Sequence, residues 1–138
     1  MKNSINIPIM KKFLTLITLL FAFVLSGCSQ QQGFVSQSNE DFAKTISKKS
    51  TQLVDVRTPQ EYEAGHIPGA ANIDVRAADF DTQAAKLNKK KPVAVYCKGG
   101  RRSKTAAKKL VEMGFTVYEL DKGFDNWNGE KASGNNPR

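Results

Sequence analysis

Strand-like and helix-like runs alternate along this chain, and no two strand-like runs are joined by a tight two-residue turn. Thr51–Arg57 reads TQLVDVR, Pro92–Tyr96 reads PVAVY with proline at its start, and Phe115–Leu120 reads FTVYEL. All three are short and rich in β-branched or aromatic residues, and Phe34–Ser36 and Ala71–Ile73 are two briefer extended pieces. Helical patterns fill the gaps. Ser38 is placed as an N-cap three residues before Asp41, with Phe42 and Ile46 four apart on one face. Pro59 suits the first position of a short helix holding Glu61 and Tyr62, and DFDTQAAKLNKK from Asp79 to Lys90 reads as helix. From Ser103 onward Ala106, Ala107, Leu110 and Val111 form an apolar stripe, Lys104, Lys108 and Glu112 point elsewhere, and Gly114 is placed to end the helix. Strands that return through helices pair in parallel and need cover on both faces. The expectation is therefore an α/β, three-layer fold: a central, mostly parallel sheet with helices on both faces, in one domain over residues 34–128 without internal repeats. Residues 129–138 read as a flexible tail.

The N-terminus is a different kind of sequence. Lys11 and Lys12 precede thirteen mostly apolar residues, Phe13 to Leu25, and then Ser26, Gly27 and Cys28. That run falls short of the roughly 20 residues a transmembrane helix needs, and small residues crowd its end as a cleavage site requires, so residues 1–27 are expected to be a signal peptide. Met10, directly before the lysines, is an alternative start. LSGC resembles the lipobox of bacterial lipoproteins, which implies a mature chain beginning at Cys28 with lipid on its sulfur and amine; the alternative is an ordinary signal peptide with an incidental cysteine. Residues 28–33 would then be a lipid-anchored tether of at most about 15–18 Å, at about 3.3–3.6 Å per extended residue. This places the protein at the bacterial cell envelope, held to a membrane through Cys28 and facing the periplasm. Ser29 resembles the outer-membrane rather than the inner-membrane pattern of Gram-negative lipoproteins.

The full chain carries 21 Lys+Arg against 13 Asp+Glu, and without residues 1–27 the balance is 18 against 13, a net of +5. The lysines are scattered and read as a solvated surface; without an arginine-rich arm or an aromatic-interleaved patch, nucleic acid is not expected as a partner. His66 is the only histidine, in a glycine-proline turn, and no ligand cluster suggests a metal or another cofactor. It reads as a structural hydrogen-bonding residue rather than a base. With Cys28 lipidated, Cys97 has no partner for a disulfide, and an unpaired thiol in an oxidising compartment is either buried and inert or kept for its reactivity.

The sequence around Cys97 favours reactivity. VYCKGGRRSKTAAKKL ends a strand on the cysteine, turns through Gly99 and Gly100, and enters a helix. Ligands in α/β sheets sit beyond the carboxyl ends of strands, and a helix N-terminus after glycines is a cradle for an anion. Amides from Lys98 to Ser103, the helix dipole, and the charges of Lys98, Arg101 and Arg102 would all favour a thiolate.

CKGGRRS resembles the active loop of the rhodanese family of sulfurtransferases, Cys-x-x-Gly-x-Arg followed by Ser or Ala, through Cys97, Gly100, Arg102 and Ser103. LVDVRTPQEYEAGHIPGAANI is similar to that family's N-terminal signature through Asp55, Arg57, Glu61, Gly65, His66, Ile67, Pro68, Gly69 and Ala70. LDKGFDNW resembles its closing segment, with Lys122 where a second glycine is common. The resemblance covers residues 34–128 and implies a rhodanese-like fold. It also implies transfer of sulfane sulfur from thiosulfate or a similar donor to cyanide or a thiol, through a persulfide on Cys97. Arg102 would stabilise the persulfide anion together with the loop amides of Gly99, Gly100 and Ser103. Lys98 and Arg101, assigned by charge, would hold the sulfonate end of thiosulfate or else simply be solvated. Asp55 and Arg57 would brace the loop, and Tyr96 and Trp127 would pack in the core. Related phosphatases and arsenate reductases hold five residues between cysteine and arginine; here four intervene, so negligible phosphatase activity is expected. A non-turnover sulfur carrier or partner-docking module is the alternative to an enzyme.

Overall fold

The structure, a computed structural model, describes residues 33–134; the expected signal peptide, Cys28, the expected tether as far as Gln32, and residues 135–138 lie outside the described residues. Five strands form one sheet: β1 (Phe34–Gln37), β2 (Gln52–Asp55), β3 (Ala71–Asn72), β4 (Val93–Tyr96) and β5 (Val117–Leu120). Their spatial order is β1-β5-β4-β2-β3, and every neighbouring pair is parallel. The helices are α1 (Asn39–Ile46), α2 (Pro59–Ala64), α3 (Phe80–Ala84) and α4 (Arg101–Glu112), followed by a 3₁₀ turn at Phe124–Asn126.

The helix starts follow from local chemistry. Ser38 accepts the Asp41 N–H at 3.3 Å to begin α1. Thr58 and Glu61 form a reciprocal capping box at α2, with Pro59 in the first turn, where its missing N–H costs nothing. α3 is shorter than its sequence pattern: after Ala84 the Lys86 and Leu87 amides bond only three residues back, and the polar run Asn88–Lys91 has no apolar face to bury.

The layers can be read off β4, whose four residues are all buried. Val93 and Val95 point with Cys97 into a cluster that includes Phe80, Ala106, Ala107 and Leu110, under α3 and α4. Ala94 and Tyr96 point the other way, into a cluster with Phe42, Tyr62, Leu120 and Trp127, under α1 and α2. Alternation at period two thus delivers Cys97 to the α4 side of the sheet. The chain leaves β2 towards β3 but leaves β4 towards β5, so the two connections part between β2 and β4 and open a crevice beyond the strand ends.

One expectation is corrected. Residues 129–134 are not loose: Ala132 and His66 exchange both backbone hydrogen bonds (2.8 and 2.9 Å) as an antiparallel bridge, and the Gly134 N–H donates to Glu63 O at 2.8 Å. The turn after α2 presents backbone groups that need partners, and the chain end supplies them.

Candidate active site

Cys97 is the first residue beyond β4, at the crevice, and is 1 % exposed. Its carbonyl accepts the Phe124 N–H at 2.8 Å and the Lys98 carbonyl accepts the Asp125 N–H at 3.0 Å, so the turn after β5 backs the loop. Gly123 permits this approach: its φ is +64°, and a Cβ there would lie 2.4 Å from Lys98 O. Gly100 is the tighter position. It caps α4 at φ +96° and carries no side chain to compete for the helix's free amides; a Cβ would fall 2.0 Å from Asp121 O. Its own N–H donates to Cys97 Sγ at 3.1 Å. Of the amides expected around the sulfur, this is the one that reaches it among the described residues.

Ser103 stands behind the sulfur, fully buried, with its Oγ 3.4 Å from Cys97 Sγ. Its hydroxyl donates to Glu119 Oε1 at 2.6 Å, which leaves an oxygen lone pair for the thiol hydrogen. Glu119, on β5, was missed in the sequence. It is 0 % exposed, accepts the Ser36 hydroxyl, and lies 3.3 Å from Lys104 Nζ at each carboxylate oxygen, while Lys104 also reaches Asp121 Oδ1 at 2.8 Å. The available signal was register: Val117 and Glu119 share a face in FTVYEL, so an inward valine implies an inward acid.

Arg102 does not turn its guanidinium to the sulfur. It closes a two-bond fork on Glu61, 2.7 Å at each oxygen, because the capping box of α2 already holds that carboxylate opposite the loop. The charge of Cys97 still contributes to raising the Arg102 pKa, after the Glu61 hydrogen bond that dominates the shift. Arg102 therefore pins α4 to α2 beside the thiol. The same fork holds Glu61 down to about 2 from 4.5, through the Arg102 hydrogen bond first, with burial opposing. A lowered folded-state value means stability that is present above the unfolded value near 4.5 and is lost as pH falls towards about 2. Glu61→Gln is expected to cost about 1–2 kcal/mol at neutral pH, discounted for partial exposure. Urea melts at neutral and acidic pH check this: the variant should lose less stability on acidification than the unmutated chain.

Lys98, Gly99 and Arg101 are exposed on the rim, and neither cation is in an ion pair with a described residue. Lys98 borders a cavity of about 260 Å³ lined also by Arg57, Glu61, Gly65 and Phe124. Asp55 and Arg57 brace rather than bind. Arg57 Nε and Nη2 reach Asp55 at 3.0 and 2.6 Å, Nη2 also donates to Gly65 O at 2.6 Å, and the guanidinium lies 4.3 Å over the Phe124 ring. Phe124 in turn carries the N–H that holds Cys97 O. His66 Nδ1 lies 2.9 Å from Tyr62 O and its ring stacks on Tyr62 at 3.8 Å, on the sheet face opposite the thiol, which suits a structural residue. Tyr96 accepts the Ile67 N–H at 2.9 Å, and burial drives its phenol well above the usual range. Trp127 packs edge-on to Phe42. No group of three or more potential metal ligands occurs among the described residues.

The family model described as a Rhodanese-like domain matches residues 38–130. The chain is 42% identical over 101 residues to the thiosulfate sulfurtransferase GlpE of Pseudomonas fluorescens, a match covering 69% of this chain and 90% of that one. It is 34% identical over 121 residues to the protein YqhL of Bacillus subtilis, covering 83% and 93%. Among solved structures, the BH2092 protein from Bacillus halodurans matches with a TM-score of 0.63 at 31% identity, over 72% of this chain and 77% of that one.

Proposed function

The chain belongs to the rhodanese family, and from that premise we propose that it is a sulfurtransferase that carries sulfane sulfur on Cys97. The Cys97 thiolate attacks the outer sulfur of thiosulfate; the sulfur–sulfur bond of the donor breaks and sulfite leaves with its electron pair. Cyanide or a thiolate then attacks the outer sulfur of the persulfide, and the Cys97 thiolate is restored. Neither step consumes a proton, which agrees with a site that has no histidine near the sulfur. The observation that carries the reading is the Gly100 N–H on Cys97 Sγ at the start of α4, which no side chain caps and where amide and helix dipole favour negative charge on sulfur. The free charges of Lys98 and Arg101 at the rim suit a dianionic donor. On the same reading the protein is held at the bacterial envelope by lipid on Cys28.

Both hydrophobic clusters of the described residues lie between Phe34 and Trp127, so a chain of residues 29–138 retains them, and Cys97 is its one cysteine. Its intact mass is expected to rise by one sulfur atom with thiosulfate and to return with cyanide as thiocyanate forms. A correctly folded chain that takes up no sulfur from any sulfane donor would overturn the assignment.

A further inference from the structure

Parallel strands put all their starting residues at one pole of the sheet. The loop before β2 brings Lys48 and Lys49 there, and the loop before β4 brings Lys89, Lys90 and Lys91. These lysines read as scattered along the chain, yet the two loops are stitched together by one side chain. Gln52 Nε2 donates to Asn88 O at 2.9 Å and Lys91 O at 3.3 Å, and its Oε1 accepts the Asn88 N–H at 2.8 Å. All five lysines are exposed, and none forms an ion pair with a described residue. Lys89 lies 6.0 Å over the Phe115 ring, beside the start of β5. Of the acids on the flanking helices, Glu112 ends α4 and Asp81 of α3 is paired with Lys109 at 3.0 Å.

Gly33, the first described residue, lies at the same pole. It precedes β1 and sits against Val111 in the last turn of α4, where a Cβ on the glycine would lie 2.6 Å from Val111 Cγ1. Cys97 is at the opposite pole, at the head of α4, whose 12 residues span about 18 Å at 1.5 Å per residue.

We propose that the lysine pole is a docking surface for an anionic lipid bilayer. Five fixed positive charges with little countercharge match anionic headgroups, at about 1 kcal/mol for each lysine near the surface. On the lipid-anchor reading the acyl groups on Cys28 supply attachment, and a basic patch adds an electrostatic hold that selects which face meets the bilayer. Gly33, five residues after Cys28 in the sequence, lies at this pole, so on the lipid-anchor reading the lipid would be tethered within about 18 Å of it, at about 3.6 Å per extended residue. Docking this way turns Cys97 away from the bilayer, towards soluble donors and acceptors. The inference takes its orientation from the lipid-anchor reading, but attraction of the pole to anionic lipid does not depend on it.

The test uses residues 29–138 in co-sedimentation with vesicles of phosphatidylcholine alone or mixed with phosphatidylglycerol. Binding is expected only to the mixed vesicles, weakening as salt is added. The variant Lys48→Gln, Lys49→Gln, Lys90→Gln, Lys91→Gln is expected to bind about 100-fold or more weakly, from about 1 kcal/mol per lysine. It should keep its unfolding midpoint and its sulfur loading, which separates failure of this surface from failure of the proposed activity. Equal binding to neutral vesicles, undiminished binding by the four-lysine variant, or loss of binding through Lys98→Gln with Arg101→Gln instead would each overturn the proposal. So would preference for duplex DNA over the mixed vesicles at the same salt concentration.

Discussion

Gly100→Ala is expected to slow sulfur loading of Cys97 about 100-fold or more, while Gly99→Ala loads like the unmutated chain; such a loss is the scale that a 1 Å misplacement of reacting groups produces. The two glycines are neighbours with different demands. A methyl on Gly99 meets nothing within 4 Å, whereas one on Gly100 lies 2.0 Å from Asp121 O and must be borne at φ +96°. The obstacle is backbone of the segment that follows β5, which cannot rotate aside as a side chain would. Relief requires the loop to lift, and the loop carries the N–H that reaches Cys97 Sγ at 3.1 Å. Single-turnover loading followed by intact mass reads the rate directly. Near-normal loading by Gly100→Ala would mean that the amide contact is not what readies the sulfur.

Asp55→Ala is expected to lower unfolding stability by about 3–5 kcal/mol, because it strands a buried guanidinium. Asp55 is 0 % and Arg57 4 % exposed, and the carboxylate accepts from Arg57 Nε, Nη2 and backbone N–H. Removing it leaves Arg57 with the Gly65 carbonyl and two aromatic faces, too little to offset the lost hydration of a full charge. Against a typical total of about 5–15 kcal/mol the loss is large, and urea unfolding midpoints measure it. A cost within about 0.5 kcal/mol, the range of an ordinary surface substitution, would show that water enters the pair freely.

Much of this was legible in the sequence because it depends on periodicity and on punctuation by proline and glycine. The alternation of short strands with helices specified a parallel sheet, and the glycines after PVAVYC marked the loop. What the sequence concealed depends on which groups meet across the fold. Arg102 and Glu61 are 41 positions apart, and nothing local says that the capping carboxylate of one helix takes the guanidinium of another. Glu119 stands behind Ser103 because of its register in β5, and the contact spans 16 positions of sequence. The lysines before β2 and β4 seemed dispersed because the chain runs up and down the sheet between them. The alignment of their loops is a property of parallel topology.

The pairing of Ala132 with His66 has a practical corollary for where the domain ends. The last recognisable motif residue is Trp127, yet its indole N–H donates to Glu130 O at 3.0 Å, and the His66 amide, in a residue 1 % exposed, depends on Ala132 O. Cutting the polypeptide after Trp127 would orphan both donors, at about 1–3 kcal/mol for each buried group left unsatisfied. Affinity tags and protease sites therefore belong after Gly134, and a fragment trimmed to the motif boundary would be a weakened version of the domain.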